Sequence, residues 1–275
     1  MFDPKTNKYP YTEYTDGHYI KIKKDDKTVF DKNYSFVEKG FSFKFKQFFF
    51  LIFYRLIVFP VVVIRMGLKV KGRKNLKKHK ALLKNGVISI CNHVLYWDFI
   101  GLSIGIRPYF PYYLVWANNV RGSLGGAMKL IRGLPIPDNN LGGTLAFTKS
   151  VKDILVNKKG WLHIFAEGSM WEYYKPIRPF KAGAATYACK YDKPIIPLAY
   201  TYRKPGWIRR KIFKQIALYT LNIGEPIFPN YELSKEEQIK DLTIRAHQEV
   251  CKLANIKEGE NIYPPIFDQT KRIDY

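Results

Sequence analysis

The stretch Val87-Ile88-Ser89-Ile90-Cys91-Asn92-His93-Val94-Leu95-Tyr96-Trp97-Asp98-Phe99-Ile100-Gly101-Leu102-Ser103-Ile104 joins two apolar segments through a polar break. Residues 87–90 read as a short buried strand. Residues 98–104 read as the first turns of an apolar helix with Asp98 as its cap. His93 falls in the turn between them. On one continuous helix only third and fourth neighbours share a face, so His93 and Asp98, five apart, can meet only across such a bend.

An imidazole backed by a carboxylate removes a proton from a weakly acidic hydroxyl. The carboxylate holds Nδ1–H and fixes the tautomer, while Nε2 accepts the proton. Spacing alone allows a blander reading equally well, with Asp98 only capping a helix and His93 only satisfying a turn. Cys91 lies beside His93, but a thiol nucleophile is the weaker reading, since hydroxyl activation needs no further group.

The 275 residues and 47% hydrophobic composition suffice for one substantial core. Lys and Arg total 46 against 23 Asp and Glu, a net +23, so the partner is anionic: a phospholipid surface, a phosphorylated substrate or nucleic acid. The three cysteines, Cys91, Cys189 and Cys251, lack metal spacing and read as reduced thiols facing the cytosol. Residues 1–40 form a polar, Tyr- and Lys-rich extension without the apolar region of a signal peptide. Within it, residues 18–23 alternate as a hairpin or edge strand would.

Composition changes sharply at Phe41. Residues 48–64, FFFLIFYRLIVFPVVVI, are apolar apart from Arg55, and Lys or Arg residues flank them on both sides. The tract falls short of the roughly 20 residues of a spanning helix, and a central Arg would cost about 2.5–3.5 kcal/mol to insert. Pro60 adds a kink. The expectation is a membrane-associating segment over residues 41–70: a helix or bent helix pair dipping into one leaflet, with Arg55 snorkelling and the basic flanks on an anionic cytoplasmic surface. A buried core helix is the alternative.

From residue 71 onward strand-like and helix-like pieces alternate, with strands at 87–90, 112–117, 161–165, 195–202 and 216–223. Helices are expected at 98–106, 124–132, 145–157 and 182–191. This predicts an α/β fold, a largely parallel central sheet covered by helices and preceded by the apolar anchor, with sites at the carboxyl ends of strands. Ser234 and Glu237 form a capping box for a C-terminal docking helix, on which His247 reads as a surface residue.

Two further stretches carry chemistry. Residues 161–165 run into Ala166-Glu167-Gly168-Ser169-Met170, a tight turn whose N–H groups and hydroxyl suit an oxyanion or a polar acceptor, or an ordinary loop. Beyond it, Lys175, Arg178 and Lys181 lie on a Pro-stiffened loop before a helix start, an arrangement that suits phosphate or simply a solvated loop.

Asn92-His93 with Asp98, Phe165-Ala166-Glu167-Gly168-Ser169, Phe180-Lys181-Ala182-Gly183 and Pro194-Ile195-Ile196-Pro197-Leu198 together resemble the motifs of the lysophosphatidic acid and glycerol-phosphate acyltransferase superfamily. Their order and spacing agree with it over residues 75–228, and the apolar segment resembles the two-helix anchor of bacterial members. The resemblance implies that His93 is the general base toward an acceptor hydroxyl and that Asp98 orients it. It implies an acceptor site at Glu167, Gly168 and Ser169, with Pro197 shaping its wall. The donor would be acyl-CoA or acyl carrier protein and the acceptor a lysophospholipid, foremost 1-acylglycerol-3-phosphate, with direct transfer and no metal or further cofactor.

Two departures bear on the acceptor. Met170 and Asn139 stand where the family usually has arginines, the expected partners of an acceptor phosphate. Either Arg132, Lys175, Arg178 and Lys181 replace them, or the acceptor is another lysolipid or a hydroxyl- or amine-bearing lipid without a phosphate monoester. Two other classes remain, a catalytically silent membrane-binding relative and a basic nucleic-acid-binding protein. The sequence has no zinc spacing, basic zipper or RNA-recognition signature to support the latter.

Overall fold

The computed structural model describes residues 28–138 and 140–256. The expected hairpin at 18–23 and the departure at Asn139 lie outside the described residues. Seven strands, β1 (Lys69–Lys71), β2 (Val87–Cys91), β3 (Tyr112–Trp116), β4 (Gly133–Ile136), β5 (Trp161–Phe165), β6 (Ile195–Arg203) and β7 (Leu218–Ile223), form one sheet in the order β1-β7-β6-β2-β5-β3-β4. Pairing is parallel throughout, except that β6 and β7 run antiparallel.

Both faces of the sheet are covered, which is why the central strands read as continuous apolar runs. Successive side chains alternate: Ile88 and Ile90 enter the core under the helices Leu141–Lys152, Gly183–Tyr191 and Lys235–Leu253. Val87 and Cys91 enter the other core, with the helix Asp98–Gly105 and the end of the apolar helix. β1 and β4 were not legible as strands. The first is a three-residue basic edge, and the second carries Pro135, which an edge position tolerates.

The apolar segment is one helix, Phe41–Met66, and not a bent pair or a two-helix anchor. A π-helical turn at Tyr54–Val58 absorbs the local disturbance ahead of Pro60: the Phe59 N–H reaches back five residues to the Tyr54 carbonyl. At ~1.5 Å per residue this helix is long enough to cross a hydrocarbon core. One side of its second half is buried against the body through Tyr54, Phe59, Val62 and Met66. Phe45, Phe49, Ile52, Leu56 and Ile64 are exposed, as is Arg55.

One expectation fails on burial, and one open question is answered for the described residues. His247 is not a surface residue: it is 5% exposed, edge-on to Phe180 at 4.9 Å, because the docking helix buries that face on the helix Gly183–Tyr191. Of the N-terminal extension, residues 28–40 lie against the body, with Phe30 and Phe36 inside the core.

Gly101 shows how the layers lock together. A Cβ there would stand 2.6 Å from the Tyr200 hydroxyl and 3.1 Å from the Met66 sulfur, so helix, sheet and apolar helix meet at a glycine. Gly101→Ala should destabilise the protein by about 1–3 kcal/mol in urea unfolding, because the added methyl displaces a packed hydroxyl. An unchanged midpoint would contradict this packing.

Candidate active site

β2 and β5 are parallel neighbours with Cys91 opposite Phe165, so the two turns that leave their carboxyl ends lie side by side. This brings residues 92–98 against residues 166–170, as expected for an α/β sheet. Asn92 secures the first turn to β6: its amide donates to the Tyr200 carbonyl at 3.1 Å and its Oδ1 accepts the Tyr200 N–H at 2.7 Å.

His93 Nδ1 lies 2.7 Å from Asp98 Oδ2, and the pair forms across the bend as the spacing required. Asp98 is fully buried while the His93 side chain remains 23% exposed, so the imidazole alone meets the cavity. Asp98 does not cap the helix by its position, for Trp97 is the cap and Asp98 the first helical residue. Its carboxylate instead turns back and accepts the N–H groups of Val94 at 2.9 Å and Leu95 at 3.2 Å, so these buried backbone donors are paired. The Tyr200 hydroxyl holds the Asp98 carbonyl at 2.6 Å.

Behind His93 stands a buried bracket. Glu167 accepts the His93 N–H at 3.0 Å on one oxygen and the Arg178 N–H at 2.9 Å on the other. Arg178 Nη1 donates to Ser169 Oγ at 2.9 Å, Nη2 reaches the Ser169 carbonyl and Glu167, and the guanidinium lies 4.5 Å over the Trp171 ring. The His93 carbonyl accepts the Trp171 N–H at 3.0 Å, so both backbone groups of the histidine are fixed. Phe165 stacks on the imidazole with centroids 4.0 Å apart, closing one face of the ring.

His93 opens onto a cavity of about 710 Å³. Phe99, Tyr113, Met128, Ile131 and Ile164 make its wall largely apolar, and Gly168, Ser169, Met170 and Lys181 stand at its polar part. Gly168 sits at φ +78°, and the Lys181 side chain passes over it where a Cβ would be. The Gly168 N–H is already donated to the Phe165 carbonyl at 3.0 Å, which removes it from the oxyanion donors the turn suggested. Ser169 receives a hydrogen bond from Arg178 and so retains its own hydroxyl proton for donation.

The structure therefore divides the expected acceptor residues. Gly168, Ser169 and Lys181 line the cavity, whereas Glu167, Arg178 and Pro197 lie behind it or within the sheet. Of the cations suggested to replace the missing arginines, Lys175 is exposed on its loop. Arg132 packs on Phe110 and Tyr112 at the opposite ends of β3 and β4. Lys181 is the one Lys or Arg lining the cavity among the described residues. Met170, where an arginine was expected, also lines it.

Sequence reading missed His163, two strand residues before the Phe165 that stacks on His93. It is fully buried, with Nδ1 2.8 Å from Ser89 Oγ, which also accepts the Trp161 indole N–H at 2.6 Å. Burial, with His93 nearby, pushes its pKa down to about 3, so it is neutral and structural. Burial pushes the Cys91 thiol well up, with Asp98 adding to the effect, so this cysteine is no nucleophile. Among the described residues no group of three His, Cys, Asp or Glu converges as a metal site.

Residues 67–201 match the model of the Acyltransferase family. Over 199 residues the chain is 27% identical to the 1-acyl-sn-glycerol-3-phosphate acyltransferase of Bacillus subtilis (strain 168), covering 71% of this chain and 92% of that relative. The crystal structure of the 1-acyl-sn-glycerophosphate acyltransferase PlsC from Thermotoga maritima matches with a TM-score of 0.47 and 20% identity, over 76% of this chain and 88% of that one.

His163 gives the site region a pH dependence of stability. Unfolded, its imidazole takes up a proton near 6.5, but the folded state resists protonation down to about 3. Between those values the unfolded state binds the extra proton, so stability falls as pH drops, by up to ~1.4 kcal/mol per unit; above 7 the term vanishes. His163→Gln should flatten the dependence in urea unfolding between pH 7 and 5. Equal slopes in the two proteins would contradict a buried neutral histidine.

Proposed function

The chain belongs to the acyltransferase family, and from that premise we propose that it moves a fatty acyl group from a thioester, acyl-CoA or acyl carrier protein, to the hydroxyl of a lysophospholipid. The single observation that carries the mechanism is the 2.7 Å contact between His93 Nδ1 and the buried Asp98 carboxylate, with the imidazole at the cavity.

Nδ1–H is held by Asp98, which leaves Nε2 as the basic nitrogen toward the cavity. It takes the proton of the acceptor hydroxyl as that oxygen attacks the thioester carbonyl. The C–O bond forms, the C–S bond breaks, and the proton passes from Nε2 to the departing thiolate, giving the ester and the free thiol. Imidazolium formed on the way is stabilised by Asp98. No protein nucleophile takes part. Ser169, which lines the cavity and retains its hydroxyl proton, is the donor we assign to the developing oxyanion.

The apolar wall suits the acyl chain and Lys181 the acceptor headgroup. The 27% identical relative bears a name specifying 1-acylglycerol-3-phosphate, and this acceptor is the foremost proposal, giving phosphatidic acid. A single lining Lys or Arg among the described residues, where the family pattern has arginines, favours, as second reading, a lysolipid without a phosphate monoester. The exposed side of the helix Phe41–Met66 supports attachment to an anionic membrane face, from which a lysolipid could reach the cavity. Acyl-CoA or acyl carrier protein as donor supports the cytoplasmic face as the one to which the helix attaches.

The test is transfer of labelled acyl from each donor to a panel of lysolipids. His93→Ala should lower kcat by roughly 100-fold or more and leave thermal unfolding within a few degrees of wild type. Full activity in that variant would overturn the mechanism. If lysophosphatidic acid is the acceptor, Lys181→Met should raise its KM about tenfold or more with little change in kcat. An unchanged KM would instead favour an acceptor without the phosphate.

A further inference from the structure

The helix Phe41–Met66 ends on a second exposed apolar element, far from it in sequence. Between β6 and β7 the segment Trp207-Ile208-Arg209-Arg210-Lys211-Ile212-Phe213-Lys214 begins with a short helix, Trp207–Lys211. Trp207, Ile208, Ile212 and Phe213 are all more than half exposed, between 57% and 64%. Four large apolar side chains kept in water by one short loop need a partner.

The loop is fixed to the helix end by hydrogen bonds. Arg209 Nη1 donates to the Ile64 carbonyl at 2.8 Å, Gln215 Nε2 to the Arg65 carbonyl at 2.6 Å, and Arg203 to the Gly67 carbonyl. In return, Arg65 Nη1 donates to the Phe213 carbonyl at 3.2 Å. Side chains of the loop and its flanks thus add donors to carbonyls at the helix end, among them that of Ile64, which also accepts the Gly67 N–H at 3.2 Å. Ile64, 66% exposed, adjoins the loop. Arg210, Lys211 and Lys214 are exposed beside the apolar group, and Lys211 lies 5.2 Å from the Trp207 ring.

We infer that the loop Trp207–Lys214 is a second membrane-contact element, seated with the outer side of the helix Phe41–Met66 on one anionic phospholipid surface. The inference rests on the reading that this helix side lies in a bilayer, with which the loop is structurally continuous. A tryptophan and aliphatic groups mixed with cations match the interfacial zone, where rings sit at headgroup level and cations meet phosphate. Fixed together, the two elements hold the body in one orientation that neither could set alone.

The full chain would be tested by flotation with phosphatidylcholine vesicles, with and without phosphatidylglycerol. The variant Trp207→Ser, Ile208→Ser, Ile212→Ser, Phe213→Ser should partition to anionic vesicles at least roughly tenfold more weakly. Replacing Arg210, Lys211 and Lys214 with Gln should remove most of the gain from phosphatidylglycerol. Brominated lipids should quench tryptophan emission in wild type and less in bound Trp207→Phe, a conservative variant that guards against misfolding of the fourfold one.

Undiminished partition of the fourfold variant, or equal quenching in Trp207→Phe, overturns the inference. If Phe45→Ser, Phe49→Ser, Ile52→Ser still releases the protein, the membrane reading survives that result; if it does not, the reading falls too. A wild-type dimer in vesicle-free buffer that the fourfold variant turns into monomer would make the loop a self-association surface and overturn the inference as well.

Discussion

Everything at the site depends on one buried carboxylate. Asp98 has no exposure, yet its Oδ2 receives His93 Nδ1 and two backbone N–H groups of the same turn. A carboxylate placed in such surroundings is tolerable only because these donors replace water. In satisfying Oδ2, while Oδ1 stays buried without a hydrogen-bond partner among the described residues, the turn 93–95 is wound into the shape that aims the imidazole at the cavity. The requirement of burial and the geometry of the base are one constraint.

The second strand turn repeats this logic from the other side. Glu167 is buried with Arg178, and the pair joins the backbone of His93 to that of the basic loop. A pair of this kind adds little net stability over an apolar replacement, but removing one partner leaves an uncompensated charge, so it acts mainly to specify one arrangement. The register of β2 against β5 supplies the common base line, and Phe165 closes the ring face. The backbone clamp and the stacked ring thus reinforce the position that the Asp98 carboxylate sets.

Much of this was legible in the chain. The change from continuous apolar strand to helical period around residues 91–98 revealed the bend, and with it the one arrangement in which His93 and Asp98 could meet. The strand at 161–165 was equally plain, because buried parallel strands are uninterrupted apolar runs. What stayed hidden depended on distant partners. Glu167 reads as a ligand in sequence, but the His93 N–H it accepts lies 74 residues away. His247 sits on a helix position that only the packed neighbour makes internal. The short edges β1 and β4 carry too few residues to show a period. The apolar helix was expected to kink at Pro60, and the disturbance shows instead as a π turn at Tyr54–Val58 just ahead of it.

The claim on which the rest stands is that Asp98 holds Nδ1–H of His93 and leaves Nε2 unprotonated toward the cavity. Nitrogen-15 NMR of the side chains measures this directly at neutral pH, with His93 assigned among the five histidines by comparison with His93→Gln. The expected result is a protonated Nδ1 and an unprotonated Nε2, and loss of that preference in Asp98→Ala. A His93 carrying its proton on Nε2, or one indifferent to Asp98, would contradict the general-base assignment.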